Sequence, residues 1–177
     1  MARGADDVDD FITSATFSKP TAYTIAFWYR NSATPSTAVY GGVFACEDNA
    51  NNSQYAGFWW DHAFGFEQSF AHYDGSFKQA KLTTALAANT WHAIAGTWDG
   101  TTIRGFLNGT EEASVAAGAL VGTNYQQTVF RIDGNFVGGT AAEASLWSVA
   151  LSDAEVKSLA GGVPANLIRG ESLLQYW

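Results

Sequence analysis

The residues best suited to chemistry are concentrated in Tyr55 to Asp74, which reads YAGFWWDHAFGFEQSFAHYD. Trp59, Trp60, His62 and Tyr73 are rings of the kind that stack on the apolar face of a sugar, and Asp61, Asn51 and Gln54 can bond its hydroxyls. These four rings are the candidate carbohydrate platform. Trp59 and Trp60 are adjacent, so a regular strand sends them to opposite faces. One then belongs to a core and the other to a surface or to the underside of a loop. A second possible chemistry is cation binding. Asp99 in a DG turn, Asp133 in the run DGN, and Asp6 or Asp7 in the acidic opening are candidate oxygen donors for a structural Ca²⁺. Turn aspartates more often bond their own backbone.

Bond cleavage asks for more. Glycoside hydrolysis needs two carboxylates facing one bond, and on a single strand that requires alternate positions. Glu47-Asp48 and Glu111-Glu112 are adjacent pairs, which a strand points to opposite sides. His62, His72 and His92 fall on different strands or loops and form no metal pattern. The expectation is a protein that binds without catalysing.

Charge and composition narrow the partners. The formal net charge of −8 over 177 residues, with nine scattered basic side chains, argues against neutralising nucleic-acid phosphates or docking on an anionic membrane. No apolar run approaches the length of a membrane span. Cys46 is the single cysteine, so no internal disulfide forms. The opening MARGADDVDDF lacks the basic and apolar regions of a secretory signal, so the expectation is a chain made and kept in a cytoplasm or one that leaves it by a route other than a cleaved signal. Charged residues make up 15% and aromatics another 15%, a balance suited to one β-sandwich with polar loops.

The elements that must position the rings are strands. Trp91 to Ser114, WHAIAGTWDGTTIRGFLNGTEEAS, is cut by Asp99-Gly100 and Asn108-Gly109 into three, both pairs suiting type I′ hairpins. Ile94, Gly96 and Trp98 share one face with His92. Trp91, Ala93, Ala95 and Thr97 share the other. Trp91 and Trp98 thus cannot both be buried on one face, and at least one is expected between the sheets. Tyr23, Ile25, Phe27 and Tyr29 alternate in the same way within Thr21 to Arg30. Gly41-Gly42 suggests a bulge, Glu47 to Gln54 a polar loop tip, and Thr128 to Ile132 a further strand. Ser152-x-x-Glu155 is a capping box that predicts one short helix over Asp153 to Ala160, stopped by Gly161.

Trp91, His92, Ile94, Ala95, Thr97, Trp98, Asp99, Gly100, Asn108 and Gly109 together resemble the central hairpins of laminin-G-like, concanavalin A-like jelly-roll domains. Glu143 to Trp147, Leu151-Ser152 and Glu155 resemble the family's closing pattern, with Ala142 in place of its usual aspartate and Ala144 in place of a larger apolar residue. The resemblance implies an all-β jelly-roll sandwich of two antiparallel sheets with one short helix near the C-terminus. It covers residues 1–177 as one domain. It also implies sites for sugars or calcium. The tail GVPANLIRGESLLQYW resembles the segment that follows this helix in laminin-G-like proteins of bacteriophages, through Pro164, Leu167, Ile168, Arg169, Leu173, Tyr176 and Trp177. That likeness implies a virion component made in the host cytoplasm: a capsid decoration, tail or fibre protein. Its partners would be capsid or tail proteins, further copies of itself, or surface glycans. The alternative is a lectin-like module of a bacterial surface protein; a glycan-cleaving enzyme is a distant second.

Overall fold

Alternation of side chains decides the architecture. In β4 (Tyr23–Arg30), Tyr23, Ile25, Phe27 and Tyr29 enter the main core while Ala26 joins a separate cluster on the opposite side. β9 (His92–Trp98) repeats this, with Ile94 and Trp98 in the main core and Ala95 outside. The computed structural model describes residues 3–5, 11–30, 41–61, 67–132, 135–136 and 138–177.

Two antiparallel seven-stranded sheets face each other. The first runs β1 (Arg3–Ala5), β15 (Gly139–Trp147), β4, β9, β10 (Thr102–Leu107) and β11 (Thr110–Ala116), with β16 (Leu173–Tyr176) also on β15. The second runs β2 (Ile12–Thr13), β12 (Asn124–Val129), β5 (Gly41–Asp48), β6 (Asn51–Asp61), β7 (Glu67–Tyr73) and β8 (Phe77–Leu82), with β3 (Phe17–Ser18) also on β12. A small ribbon pairs β13 (Arg131–Ile132) with β14 (Asn135–Phe136). No helix among the described residues is long and apolar enough to cross a membrane.

The layer between the sheets is aromatic. Phe27 meets Phe44 and Phe58 edge-on, and Tyr23 lies against Phe70 and Trp98. Gly96 is required there: a Cβ on it would stand 2.1 Å from the ring of Phe70. Trp98 is buried and donates its indole N–H to the carbonyl of Ala117. Trp91 precedes β9, half-buried, under the guanidinium of Arg30 at 5.5 Å. The two tryptophans part as their odd spacing requires. His72 is enclosed beside Trp98 and Tyr23. Its Nε2 hydrogen bonds to the carbonyl of Gly118, which leaves Nδ1 to accept from the hydroxyl of Tyr23 at 2.8 Å. Burial lowers its pKa from 6.5 to about 4 and keeps it neutral.

The outer face of the first sheet is covered by the chain itself. Ser152 and Glu155 form the capping box and start α1 (Asp153–Ala160). Val156 then seats on Ala26, Ala95, Phe106 and Trp147. The tail follows, with Ala165, Ile168 and Leu173 joining that cluster and Trp147 donating its indole N–H to the carbonyl of Ile168.

Several boundaries differ from the sequence reading. Of the loop tip expected over Glu47 to Gln54, Glu47 and Asp48 end β5 and Asn51 to Gln54 begin β6. Asp48 tightens the preceding turn by accepting from the amides of Ala50 and Asn51, so two residues suffice. The strand expected over Thr128 to Ile132 breaks at Phe130, whose φ is +66°. The helix stop is shifted by one: Gly161 keeps φ −80°, and Gly162 takes the left-handed turn while Val163 bonds back to Ser158. Asn108 and Gly109 both take positive φ, as type I′ demands, whereas at the first hairpin only Gly100 does. The bulge expected near Gly41-Gly42 is present between Gly42 and Phe44.

Candidate functional site

The outer face of the second sheet brings Trp59 and Tyr73 together. On β6, Tyr55, Gly57 and Trp59 point away from the core, beside Ala45 on β5 and Ala71 on β7. The small side chains under them let two rings lie flat. Tyr55 and Trp59 stack with centroids 5.7 Å apart. Gly57 between them cannot be replaced without movement, because a Cβ there would stand 2.5 Å from both the Cβ of Ala45 and the carbonyl oxygen of Phe44. From Tyr55 the row continues to Phe77 at 4.9 Å and on to Tyr73 at 5.0 Å. Phe77 reaches this face because the turn after Asp74 returns β8 with Phe77 opposite Tyr73. Exposure peaks at Phe77. Tyr55 is 4% and Trp59 8% exposed, Tyr73 is half-buried, and Phe77 is 45% exposed.

Polar groups border the rings. Glu47, opposite Tyr55 across the ladder, is fully buried and accepts from Arg131 at 3.1 Å. The Arg131 guanidinium also lies 4.5 Å over the ring of Phe11. Ser69, opposite Trp59, buries its hydroxyl without a hydrogen-bond partner, and so does the Nε of Arg131. Such orphans cost on the order of 1–3 kcal/mol each. Gln126 and Gln79 stand half-buried in neighbouring ladder positions.

Trp59 and Tyr73 thus share a site. Trp60 follows Trp59 on β6 and pairs with Gly41 and Gln68; its side chain lies outside the described residues, as does His62. Asp61 is described only as the end of β6. The sequence reading missed Tyr55 and Phe77. Tyr55 was findable by counting four back from Trp59 along one strand, and Phe77 by folding the strand back at Asp74-Gly75.

The cation donors fare differently. One oxygen of Asp99 accepts from the amide and hydroxyl of Thr101 and the amide of Thr102, and these bonds hold its carboxyl below the usual range. It closes its own hairpin. Asp6, Asp7 and Asp133 lie outside the described residues. Among the described residues no three metal-binding side chains gather. The carboxylate pairs separate as strand geometry requires. Glu47 faces Arg131 while Asp48 caps its turn, and Glu111 lies 3.5 Å from Arg104 while Glu112 accepts from the amides of Thr83 and Thr84.

Comparison with known proteins agrees with this architecture. No curated protein is close enough in sequence to count as a relative. Among solved structures, a heptameric SAP-like pentraxin of Limulus polyphemus superposes with a TM-score of 0.65 at 14% identity, over 89% of this chain and 78% of that one. Domain 4 of an extracellular arabinanase from Geobacillus stearothermophilus, solved with arabinotriose, gives 0.63 at 18%, over 81% and 67%. A candidate carbohydrate-binding protein of Bacteroides ovatus gives 0.64 at 16%, over 93% of this chain but 49% of its own. These likenesses establish the fold. The model of the Concanavalin A-like lectin/glucanases superfamily matches residues 4–157, and the chain belongs to that superfamily.

Proposed function

We propose that this protein is a non-catalytic glycan-binding module of the lectin-like kind, with its site on the outer face of the second sheet. The observation that carries this reading is the aromatic row Trp59–Tyr55–Phe77–Tyr73, laid on a floor of Ala45, Gly57 and Ala71 and opening to solvent at Phe77. Sugar rings stack on such faces, while Gln79 and Gln126 offer amides to hydroxyls. The arabinanase domain solved with arabinotriose and the Bacteroides candidate carbohydrate-binding protein lend support by likeness of fold. Separation of the carboxylates supports binding over cleavage. The test is a glycan array followed by calorimetry on the best hit. Phe77→Ala and Tyr73→Ala should each weaken binding without lowering the melting temperature, and no sugar should be released. Unchanged affinity in both variants, or turnover that vanishes with one carboxylate, overturns the reading.

A second reading rests on the tail. Val163, Leu167, Leu174 and Tyr176 are exposed large apolar side chains, with Leu167 at 71%. They fit docking of this end on a protein lattice such as a capsid or phage tail. The relatives named above include no phage protein, so this reading stands on those side chains and the tail resemblance. Leu167→Ser with Leu174→Ser should leave melting unchanged and abolish co-sedimentation with particles. Retained co-sedimentation removes it.

A further inference from the structure

A cavity of about 310 Å³ lies on the other side of the molecule, between α1, the turn after it and the outer face of the first sheet. Its floor is Ala26, Ala93 and Ala95, one small residue at each point where a larger side chain would fill the space. Val156, Leu159 and Pro164 wall it from above, and Trp28 and Tyr176 flank it with aromatic rings. The cavity is a consequence of sequence. The capped helix holds its distance from the sheet through Val156 on Trp147 and Phe106, while the alanines beneath leave room.

One charged side chain lines this apolar space. Glu143 sits in the irregularity that separates Ala142 from Ser145 in the pairing of β15 with β4. Its φ is +54°, a left-handed conformation that a residue with a Cβ adopts only under strain. Bulges re-aim side chains and cluster beside functional sites, and a strained residue held in place points to a role. Here the strain is over-determined: the hydroxyl of Tyr176 donates to Oε2 of Glu143, and the hydroxyl of Ser145 donates to its carbonyl. One carboxylate oxygen is thereby anchored.

We propose that this cavity binds a small organic ammonium ion carried on an apolar body, with the cation at Glu143 between the rings of Trp28 and Tyr176. Three features select that chemistry. The walls are apolar, so the body of the ligand must be too. A carboxylate with aromatic neighbours is complementary to an alkylammonium, which gains both an ion pair and cation–π attraction. A neutral sugar is disfavoured, because the polar side-chain groups lining the cavity are few and largely engaged with one another: the Ser145 hydroxyl donates to the Glu143 carbonyl and the Tyr176 hydroxyl to the Glu143 carboxylate. The net charge of −8 concentrates cations near the surface. The site is independent of the aromatic row on the second sheet.

The experiment titrates the whole protein with benzylamine and, as the neutral counterpart, benzyl alcohol, following amide shifts by NMR. Benzylamine should shift residues of α1 and β15 in a saturable way, and benzyl alcohol should bind about tenfold more weakly, the weight of one charge-assisted contact. Glu143→Gln keeps the shape and removes the charge. It should bring benzylamine down to the level of the alcohol, whereas Ala95→Leu should block both by filling the floor. Melting curves check that the variants fold, and Ala93→Leu replaces any that does not. Equal affinity for amine and alcohol in the wild type overturns the proposal. So does benzylamine binding that survives both Glu143→Gln and the filling variant, or shifts confined to the second sheet.

Discussion

The two outer faces of the sandwich solve one problem in opposite ways. Each sheet turns alternate residues away from the core, and both faces carry apolar groups that water would leave exposed. On the first sheet the chain covers them itself: α1 and the tail bury Ala26, Ala95, Phe106 and Trp147 in one cluster. On the second, Tyr55 and Trp59 lie flat on alanines and glycine, with Phe77 and Tyr73 continuing to the surface. The first arrangement is a lid and the second is a pavement. Alternation in the sequence says which residues leave the core; it does not say what meets them outside.

Removing the anchor of the lid should have the largest effect. Trp147 has no exposed surface and ties the tail through its indole N–H to Ile168. Trp147→Ala should cost about 3–5 kcal/mol in chemical denaturation. A loss below about 1 kcal/mol would mean that the lid contributes little and that the two faces are energetically alike.

The pavement should break next, at its glycine. Gly57→Ala forces a Cβ into the backbone of β5 at 2.5 Å from the Phe44 carbonyl. The cost should be about 1–3 kcal/mol, with a matching loss of glycan binding as the Tyr55–Trp59 pair is displaced. Full binding at wild-type stability would show that the close approach is relieved freely and that the floor does not set the rings.

Much of this contrast was legible in the sequence, and the remainder was hidden for physical reasons. The hairpins, the inward faces of β4 and β9 and the span of α1 follow from period two, Asn-Gly chemistry and a capping box, all of which are local. The role of Asp99 was legible too, since a DG turn invites a carboxylate to bond the amides beyond it. The strand at Asn51 to Gln54 was obscured because polar residues there read as a tip, while Asp48 makes the real turn in two residues. The break at Phe130 was invisible, because nothing in Val-Phe-Arg announces a left-handed residue. The partnership of Trp59 with Tyr55 and Phe77 needs the register of three strands, which no local pattern carries.

A smaller effect separates the faces by pH. Glu155 accepts from the Arg169 guanidinium, which with the Ser152 amide takes its pKa from 4.5 down to about 2. A carboxyl whose pKa is lower in the folded state contributes stability above its unfolded value, and that contribution is lost as pH falls from about 4.5 through about 2. Both partners are partly solvated, so screening shrinks the effect. Glu155→Gln should cost about 1 kcal/mol near neutrality, including the weakened cap. Its melting curve should converge on wild type in acid, and added salt should narrow the gap. A constant difference from pH 7 to pH 2 would assign the cost to shape rather than charge, leaving the lid insensitive to acid.

The smallest effect on stability should come at Phe77, and it discriminates best between lid and pavement. The side chain is 45% exposed and rests on Tyr55 and Tyr73 rather than in the core. Truncation removes little buried area, so Phe77→Ala should change stability by no more than about 0.5 kcal/mol. Loss of a stacking face at a binding site costs on the order of 1 kcal/mol or more in affinity. The two numbers should therefore separate: nearly unchanged melting, with glycan affinity reduced about tenfold. Leu174, 40% exposed on the tail over the first sheet, is the matched control. Leu174→Ala should change neither melting nor glycan binding. If Phe77→Ala instead lowers melting by several degrees and leaves affinity intact, the aromatic row is a second lid that packs the sheet, and the sugar site must be sought elsewhere on the molecule.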